Sequence, residues 1–100
     1  MTVTYFLCLR YPLRPRDGWS ASLQDHLDWM KSMHDAGSVY MSGPARDHSV
    51  SIYVIRAGSL RDATAIAAAD PFTASGDCRF EIIDWDVHQL AGVGSFIPAV

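Results

Sequence analysis

The chain has 100 residues, 49% of them hydrophobic, and its eight lysines and arginines against eleven acids give a formal net charge of −3. This length and composition predict one folded domain with a modest core and exclude a disordered chain. The sequence has no apolar run near the roughly 20 residues of a membrane span, and it lacks the basic face of a nucleic-acid-binding protein. We therefore expect neither a membrane nor a nucleic acid as a partner.

The N-terminal segment and the cysteines together indicate a compartment. Residues 1–5 lack the basic region and the small-residue cleavage site of a secretory leader. Cys8 and Cys78 are spaced too widely for a metal-binding motif, and two cysteines do not make a disulfide framework. We expect both to be free thiols in the core of a cytoplasmic protein.

The first half of the chain predicts a strand followed by a helix. Residues 3–11 alternate between two largely apolar faces, which is typical of a central strand. After a loop over residues 12–18 that contains two prolines, Ser20 or Ser22 can cap a helix that runs to about Ala36 and ends before Gly37. The predicted apolar stripe of this helix consists of Leu23, Leu27, Met30 and His34.

The second half predicts two more strands, a helix and a last strand. A short strand over residues 39–41 is closed by a turn at residues 42–44, and a longer strand covers residues 49–56. Ser59 then caps a second helix, with Asp62 at the third position. A turn through residues 76–77 leads to the last strand, which extends from Phe80 to Val87. We expect the apolar tail, residues 89–100, to pack on this subunit or on a neighbour.

The order strand, helix, strand, strand, helix, strand predicts a ferredoxin-like α+β fold, in which both helices cover one face of a four-stranded antiparallel sheet. Residues 1–100 then form a single domain with a core over about residues 3–88. The alternation places Tyr5, Leu7 and Ile52 on the uncovered face, which is too apolar to remain in water. We therefore expect a homodimer that packs sheet to sheet.

The segment Asp70-Pro71-Phe72 follows an alanine-rich helical run over residues 63–69. The helix dipole disfavours an acid at a helix's C-terminal end, and Pro71 stops the helix and biases Asp70 toward an extended conformation. The segment is therefore interpreted in two ways, as a helix stop with a turn or as a carboxylate held to work with another residue. The candidate partner is His26.

His26 lies at the edge of the predicted buried face of the first helix. A histidine there is either a packed residue with one hydrogen bond or a general acid/base whose ring a nearby carboxylate orients. The other histidines, His34, His48 and His88, do not form a metal-ligand spacing with it. We therefore expect neither a metal nor a cofactor.

Two further segments are candidates for contact with a ligand. Arg10, Arg14 and Arg16 form a small basic cluster, interpreted either as a contact for an anionic ligand or as a solvated loop. The segment Ser42-Gly43-Pro44 either presents backbone N–H groups to a ligand or is a plain turn.

These motifs together resemble those of the YciI-like (YCII-related) proteins. The resemblance covers roughly residues 3–88 and lies in the order and spacing of His26-Leu27, Gly37, Ser42-Gly43-Pro44 and Asp70-Pro71-Phe72 with Gly76. It implies a dimeric α+β barrel of ferredoxin-like subunits. It also implies a pocket in which His26 and Asp70 form a candidate catalytic pair, with Gly43 and Pro44 in a turn beside it and Phe72 as the aromatic residue after Asp-Pro.

The resemblance also bears on activity. One activity in the family is the dehydrochlorination of a chlorinated hydroxyhydroquinone, and most members have no assigned reaction. The family often has an arginine three residues before the histidine, where this chain has Leu23. That arginine's role is therefore missing here or has passed to Arg10, Arg46 or another residue.

We therefore expect a small cofactor-free enzyme in which His26 moves a proton on a small aromatic or enolic substrate, by elimination or isomerisation, with Asp70 as its orienter. The ligand is expected near Ser42, Gly43, Pro44 and Phe72, and the candidate apolar pocket walls are Tyr5, Tyr53, Phe72 and Trp85. The alternative is a non-catalytic dimeric module that binds a small ligand or a partner protein, in which the pair only ties the two helices together. A third hypothesis is an accessory protein whose pocket has decayed.

Overall fold

The computed structural model describes residues 4–92 and the backbone of residues 94 and 95. Strand β1 (Thr4–Pro12) leads through a loop with one 3-10 turn (Arg16–Gly18) into helix α1 (Leu23–Asp35). Strands β2 (Val39–Pro44) and β3 (Ser51–Ala57) form a hairpin, and helix α2 (Leu60–Ala68) follows. A single helical turn, α3 (Pro71–Ala74), precedes strand β4 (Cys78–Trp85). Two short strands, β5 (Gln89–Leu90) and β6 (Gly94–Ser95), pair with each other beyond it.

The main sheet has the strand order β2-β3-β1-β4, and all neighbouring strands are antiparallel. This arrangement confirms the predicted ferredoxin-like α+β architecture. Strand β1 is central, as predicted, because Leu7 pairs with Val54 of β3 on one side and with Ile83 of β4 on the other.

The core lies between the sheet and the helices. Strand residues Phe6, Cys8 and Ile55 are buried there, and the small side chains Ala63 and Ala67 let α2 approach the sheet closely. Leu60, the first residue of α2, is exposed. Cys8 and Cys78 are both buried free thiols, as the sequence predicted.

Helix α1 begins at the predicted cap, because the hydroxyl of Ser22 accepts a hydrogen bond from the backbone N–H of Asp25. Its predicted apolar stripe is correct at Met30 but wrong at the other three positions. Leu23 and Leu27 are 50% and 49% exposed, and His34 is exposed as well. The face toward the sheet is instead formed by residues at helical spacing from His26, namely Trp29, Met30 and Met33.

The segment after α2 also differs from the prediction. Asp70 does not only end a helix, because its carboxylate accepts a hydrogen bond from the backbone N–H of Phe72 and caps α3. Pro71 occupies the first position of α3, where a missing N–H and a fixed φ are favourable. The acid therefore lies at the N-terminal end of a helical turn, where the helix dipole favours negative charge.

Two other predictions are corrected or lie outside the described residues. Ser42, Gly43 and Pro44 continue strand β2 and pair with β3, so they do not form the predicted turn. Most of the tail beyond Gly92 lies outside the described residues, and so does the prediction that it packs on a subunit. In residues 4–92, no helix has both the length and the apolar character to span a membrane.

Candidate functional site

The carboxylate of Asp70 is completely buried and accepts hydrogen bonds from four donors. Oδ1 accepts from the backbone N–H of Phe72 at 3.1 Å and lies 2.8 Å from Nδ1 of His26. Oδ2 accepts from Nη1 of Arg10 at 2.8 Å and from the hydroxyl of Tyr53. A buried carboxylate is tolerated only with this degree of pairing.

Arg10 reaches this carboxylate from the central strand. Side chains along β1 alternate between the two faces of the sheet, so Arg10 points inward like Phe6 and Cys8 and is only 7% exposed. Its Nη1 also donates to the Tyr53 hydroxyl at 2.7 Å, and its Nη2 donates to Oγ of Ser51 at 3.1 Å. The guanidinium thus neutralises Asp70 inside the domain and connects β1, β3 and α3.

The charge state of Asp70 follows from these contacts. Burial raises the pKa of the carboxyl group, but hydrogen bonds from His26, Tyr53 and Arg10 outweigh it and lower the pKa to about 2. Burial also raises the pKa of the Tyr53 hydroxyl, so this group remains a phenol and donates its proton. At neutral pH the cluster therefore contains a carboxylate, a guanidinium and a neutral phenol.

The orientation of the His26 ring follows from the same charge state. An ionised carboxylate only accepts hydrogen bonds, so Nδ1 of His26 carries the proton that it shares with Oδ1. In the neutral ring Nε2 then holds a lone pair. The ring also stacks on Phe72, with centroids 4.6 Å apart and planes inclined by 20°. The hydrogen bond to Asp70 thus sets the tautomer of the imidazole, and the stacking on Phe72 holds the plane of its ring.

The loop between β1 and α1 closes over this ring pair. Trp19 packs edge-on against Phe72 at 4.6 Å, and its indole N–H donates to the carbonyl of Arg14 at 2.9 Å. The loop is tied to the α3–β4 turn by Asp77, which is fully buried. Its carboxylate accepts hydrogen bonds from the backbone N–H groups of Ser20 and Ala21, both at 3.0 Å.

The electrostatics of Asp77 match this anchoring role. Burial raises the pKa of its carboxyl group, but hydrogen bonds from Ala21, Ser75 and Ser20 outweigh it and lower the pKa to about 2. Ser75 contributes the shortest of these bonds, with its Oγ 2.6 Å from Oδ2. Asp77 is therefore ionised at neutral pH and holds the loop in place without touching His26.

A cavity of about 390 Å³ opens beside the cluster, between this loop and the β2–β3 turn. Arg10 and Ser51 form its inner wall, and Trp19 and Pro44 contribute to its sides. His26, Asp70 and Phe72 do not line the cavity themselves, so Arg10 is the residue that links the cavity to the cluster. Its volume falls in the range of about 300–1,000 Å³ that is typical of small-molecule pockets.

The structure brings some of the predicted site residues together and separates others. His26, Asp70 and Phe72 are in mutual contact, and Pro44 lines the cavity. Ser42 lies away from them, with its hydroxyl 2.9 Å from Nε2 of His34. A Cβ added at Gly43 would meet nothing within 4 Å, so no close backbone approach requires a glycine there.

Of the residues predicted as pocket walls, some lie at the site and others lie on the opposite face of the sheet. Tyr53 belongs to the cluster, but as a hydrogen-bonding group rather than as an apolar wall. Tyr5 and Trp85 are register partners on β1 and β4, on the face of the sheet away from His26. Ser51 and Trp19 were not predicted as site residues. Arg10 was predicted as a member of the basic cluster and as one replacement for a missing arginine, but not as the partner of Asp70. The signal that could have identified Arg10 as a site residue was its inward position on β1.

The described residues offer no cluster for a metal ion. Within residues 4–92, no three side chains from histidine, cysteine, aspartate and glutamate lie close enough together to hold one.

Comparison with known proteins identifies the family of the chain. The model of the YCII-related domain family matches residues 4–86. The uncharacterized protein YjpA of Bacillus subtilis (strain 168) is 35% identical over 64 residues, which is 64% of this chain and 75% of that protein. No solved structure shows significant similarity. The matched segment contains all of β1 to β4 and both His26 and Asp70, and the chain belongs to the family of YCII-related domain proteins.

Proposed function

We propose that this chain is a small cofactor-free enzyme that transfers a proton on a small aromatic or enolic substrate. Nε2 of His26 is the proton acceptor, and Asp70 positions the ring. The observation that carries the proposal is the hydrogen bond between Nδ1 of His26 and Oδ1 of the buried, ionised Asp70. It leaves the lone pair of the neutral ring on Nε2, which is the arrangement a general base requires.

The proposed step is balanced without an oxidant or a reductant. Nε2 takes a proton from a carbon next to a carbonyl group or from a hydroxyl group of the ring, and His26 becomes an imidazolium that Asp70 stabilises. In an elimination, the released electron pair forms a new double bond and a halide departs with the electrons of its own bond. In an isomerisation, the imidazolium returns the proton to a different carbon. Because Arg10 neutralises Asp70, the cluster is neutral before the step and carries one positive charge after it, until the imidazolium returns its proton to the product or releases it to water.

The test compares two histidines on the same helix. His26→Asn retains a side-chain N–H for Asp70 but removes the base, and His34→Asn is the matched control because His34 is exposed on α1. Halogenated hydroxyaromatics and cyclic 1,3-diketones are incubated in D₂O, and halide release and deuterium incorporation are followed by NMR. We expect loss of at least about 100-fold in rate for His26→Asn alone. Equal rates in both variants, with the fold retained, would favour the non-catalytic ligand-binding module instead.

We also propose that the chain works as a homodimer through the uncovered face of the sheet. Met41, Ile83 and Trp85 are 60%, 48% and 44% exposed there, and Tyr40 packs edge-on against Tyr5. An apolar surface of this extent is costly in water. A second copy fits it because the charged residues of the same face, Arg79 and Glu81, already neutralise each other within the subunit at 3.0 Å and so do not repel an identical surface.

A further inference from the structure

The cavity beside the cluster is lined by positive charge in a chain whose net charge is negative. Three of the eight lysines and arginines line it, namely Arg10, Arg14 and Arg16, and His48 adds an imidazole from the β2–β3 turn. None of the described residues that line the cavity is acidic. The cavity therefore offers an electropositive environment of a size suited to a small molecule.

The arginines of this cavity differ in how their charge is compensated. Arg10 is neutralised by Asp70, and Arg14 donates from Nη2 to the carbonyl of Gly76 at 3.0 Å. Arg16 is exposed, and within the described part of the chain no hydrogen bond or ion pair of its guanidinium is recorded. All the N–H donors of its guanidinium are therefore available to a ligand, whereas Arg10 and Arg14 already use part of theirs.

Arg16 is nevertheless held in a defined place. Its guanidinium carbon lies 5.5 Å from the ring centroid of Trp19 and 5.9 Å from that of Phe72, so it rests on both aromatic rings. Phe72, which Arg16 contacts, also stacks on the ring of His26. The loop that carries Arg16 is fixed by the bonds of Asp77 and by the indole N–H of Trp19. Arg16, the two aromatic rings and His26 thus form one chain of contacts, in which Arg16 and Trp19 line the cavity.

We propose that this cavity binds a small aromatic carboxylate and that Arg16 holds the carboxylate group. The inference rests on the proposed function, since it names the substrate class of the same site. A planar guanidinium fork matches a carboxylate in a bidentate manner. The neighbouring ring of Trp19 offers a face on which the aromatic ring of the ligand stacks. Arg16 is thereby a specificity residue and supplies, from the first loop, an anion contact that Leu23 on α1 cannot make.

The test measures binding alone, by calorimetry and by the indole N–H resonance of Trp19. The probes are benzoate, its neutral analogue benzamide, and inorganic phosphate. We expect benzoate to bind, to shift the Trp19 resonance and to lose affinity as salt is added. Benzamide is expected to bind at least about tenfold more weakly, which is the scale of one charge-assisted contact. Phosphate is expected not to displace benzoate at equal concentration, because it cannot use the aromatic surface.

The matched variants remove one positive charge each. Arg16→Gln should weaken benzoate binding by about tenfold, and Arg16→Lys should restore part of the loss. Arg61→Gln is the control, since Arg61 is exposed on α2 and does not line the cavity. The proposal is overturned if benzamide binds as tightly as benzoate, if Arg16→Gln and Arg61→Gln bind alike, or if phosphate displaces benzoate fully.

Failure of this inference is distinguishable from failure of the proposed function. Benzoate binding requires no proton transfer, so it is measured on the parent protein and the arginine variants and does not depend on His26→Asn. If the benzoate tests fail while His26→Asn alone abolishes turnover, only the substrate class is wrong. If benzoate binds as expected but His26→Asn retains turnover, only the catalytic role of His26 is wrong.

Discussion

His26 and Asp70 are 44 positions apart in the sequence, and Nδ1 of the one lies 2.8 Å from Oδ1 of the other. The contact joins helix α1 to the single turn α3. It is one of four hydrogen bonds to a carboxylate that Arg10 neutralises, so the pair belongs to a larger cluster rather than standing alone. Predictions about stability and about function therefore depend on the same residues.

Removing the charge of Asp70 should destabilise the protein strongly. Asp70→Asn leaves the guanidinium of Arg10 buried without a counter-charge, which costs about 3 kcal/mol of unfolding free energy. Urea denaturation measures the change. Asp47→Asn is the control, because Asp47 is exposed and bonds only to the neighbouring Ser49. A loss at Asp70 no larger than that at Asp47 would mean that the buried pair contributes little.

Stability should fall in acid within a defined pH range. The pKa of Asp70 is about 2 in the folded protein against a usual value of 3.8, so the unfolded chain binds the proton more tightly. This stabilisation is complete above about pH 4 and is lost as the pH falls toward 2, and it amounts to about 2 kcal/mol. Asp77 titrates in the same direction. Thermal unfolding measured between pH 6 and 2 tests this prediction. The melting temperature of Asp70→Asn should fall less steeply with pH than that of the parent protein. An equally steep fall would contradict the lowered pKa of Asp70.

Asp77 should control the loop rather than the proton transfer. Asp77→Asn replaces one acceptor oxygen by a donor that faces the N–H groups of Ser20 and Ala21. Because Trp19 lies on this loop, we expect faster amide exchange at residues 13–21 and a shift of the Trp19 indole resonance. The tautomer of His26 should stay unchanged. A change at His26 with an unchanged loop would contradict the separation of the two roles.

A charged substitution on the uncovered face of the sheet tests the proposed homodimer. Ile83→Glu places a carboxylate on this face and should convert a dimer to a monomer in analytical ultracentrifugation. Leu27→Glu is the matched control, because Leu27 is similarly exposed but lies on α1. A parent protein that sediments as a monomer, or two variants that behave alike, would exclude this interface.

The sequence predicts the architecture well because alternation and capping are local signals. The alternation in β1 correctly gives a central strand, and Ser22 and Ser59 cap the helices as predicted. The stripe of α1 was wrong because the most apolar side chains of that helix do not face the sheet. His26 faces inward instead, because it pairs with the buried Asp70. This contact joins distant parts of the chain, so local periodicity does not reveal it.

The site was only partly predictable for a related reason. Asp-Pro is a signal for a helix start as well as for a helix stop, and which one applies depends on what surrounds the carboxylate. The role of Arg10 was visible only as an inward position on a strand, because its partners Tyr53 and Asp70 are brought to it by the fold. The basic cluster of Arg10, Arg14 and Arg16 was visible in the sequence, but the cavity that these arginines line is formed by the fold.

The most direct test of the account is the tautomer of His26, read from the ring nitrogens by long-range ¹H–¹⁵N NMR at about pH 8, above the usual titration range of histidine. The signal is assigned by its absence in His26→Asn. The account predicts a protonated Nδ1 and an unprotonated Nε2, because Asp70 is an ionised acceptor. A protonated Nε2 with an unprotonated Nδ1 would contradict it, since the ring could then neither donate to Asp70 nor accept a proton from a substrate at Nε2.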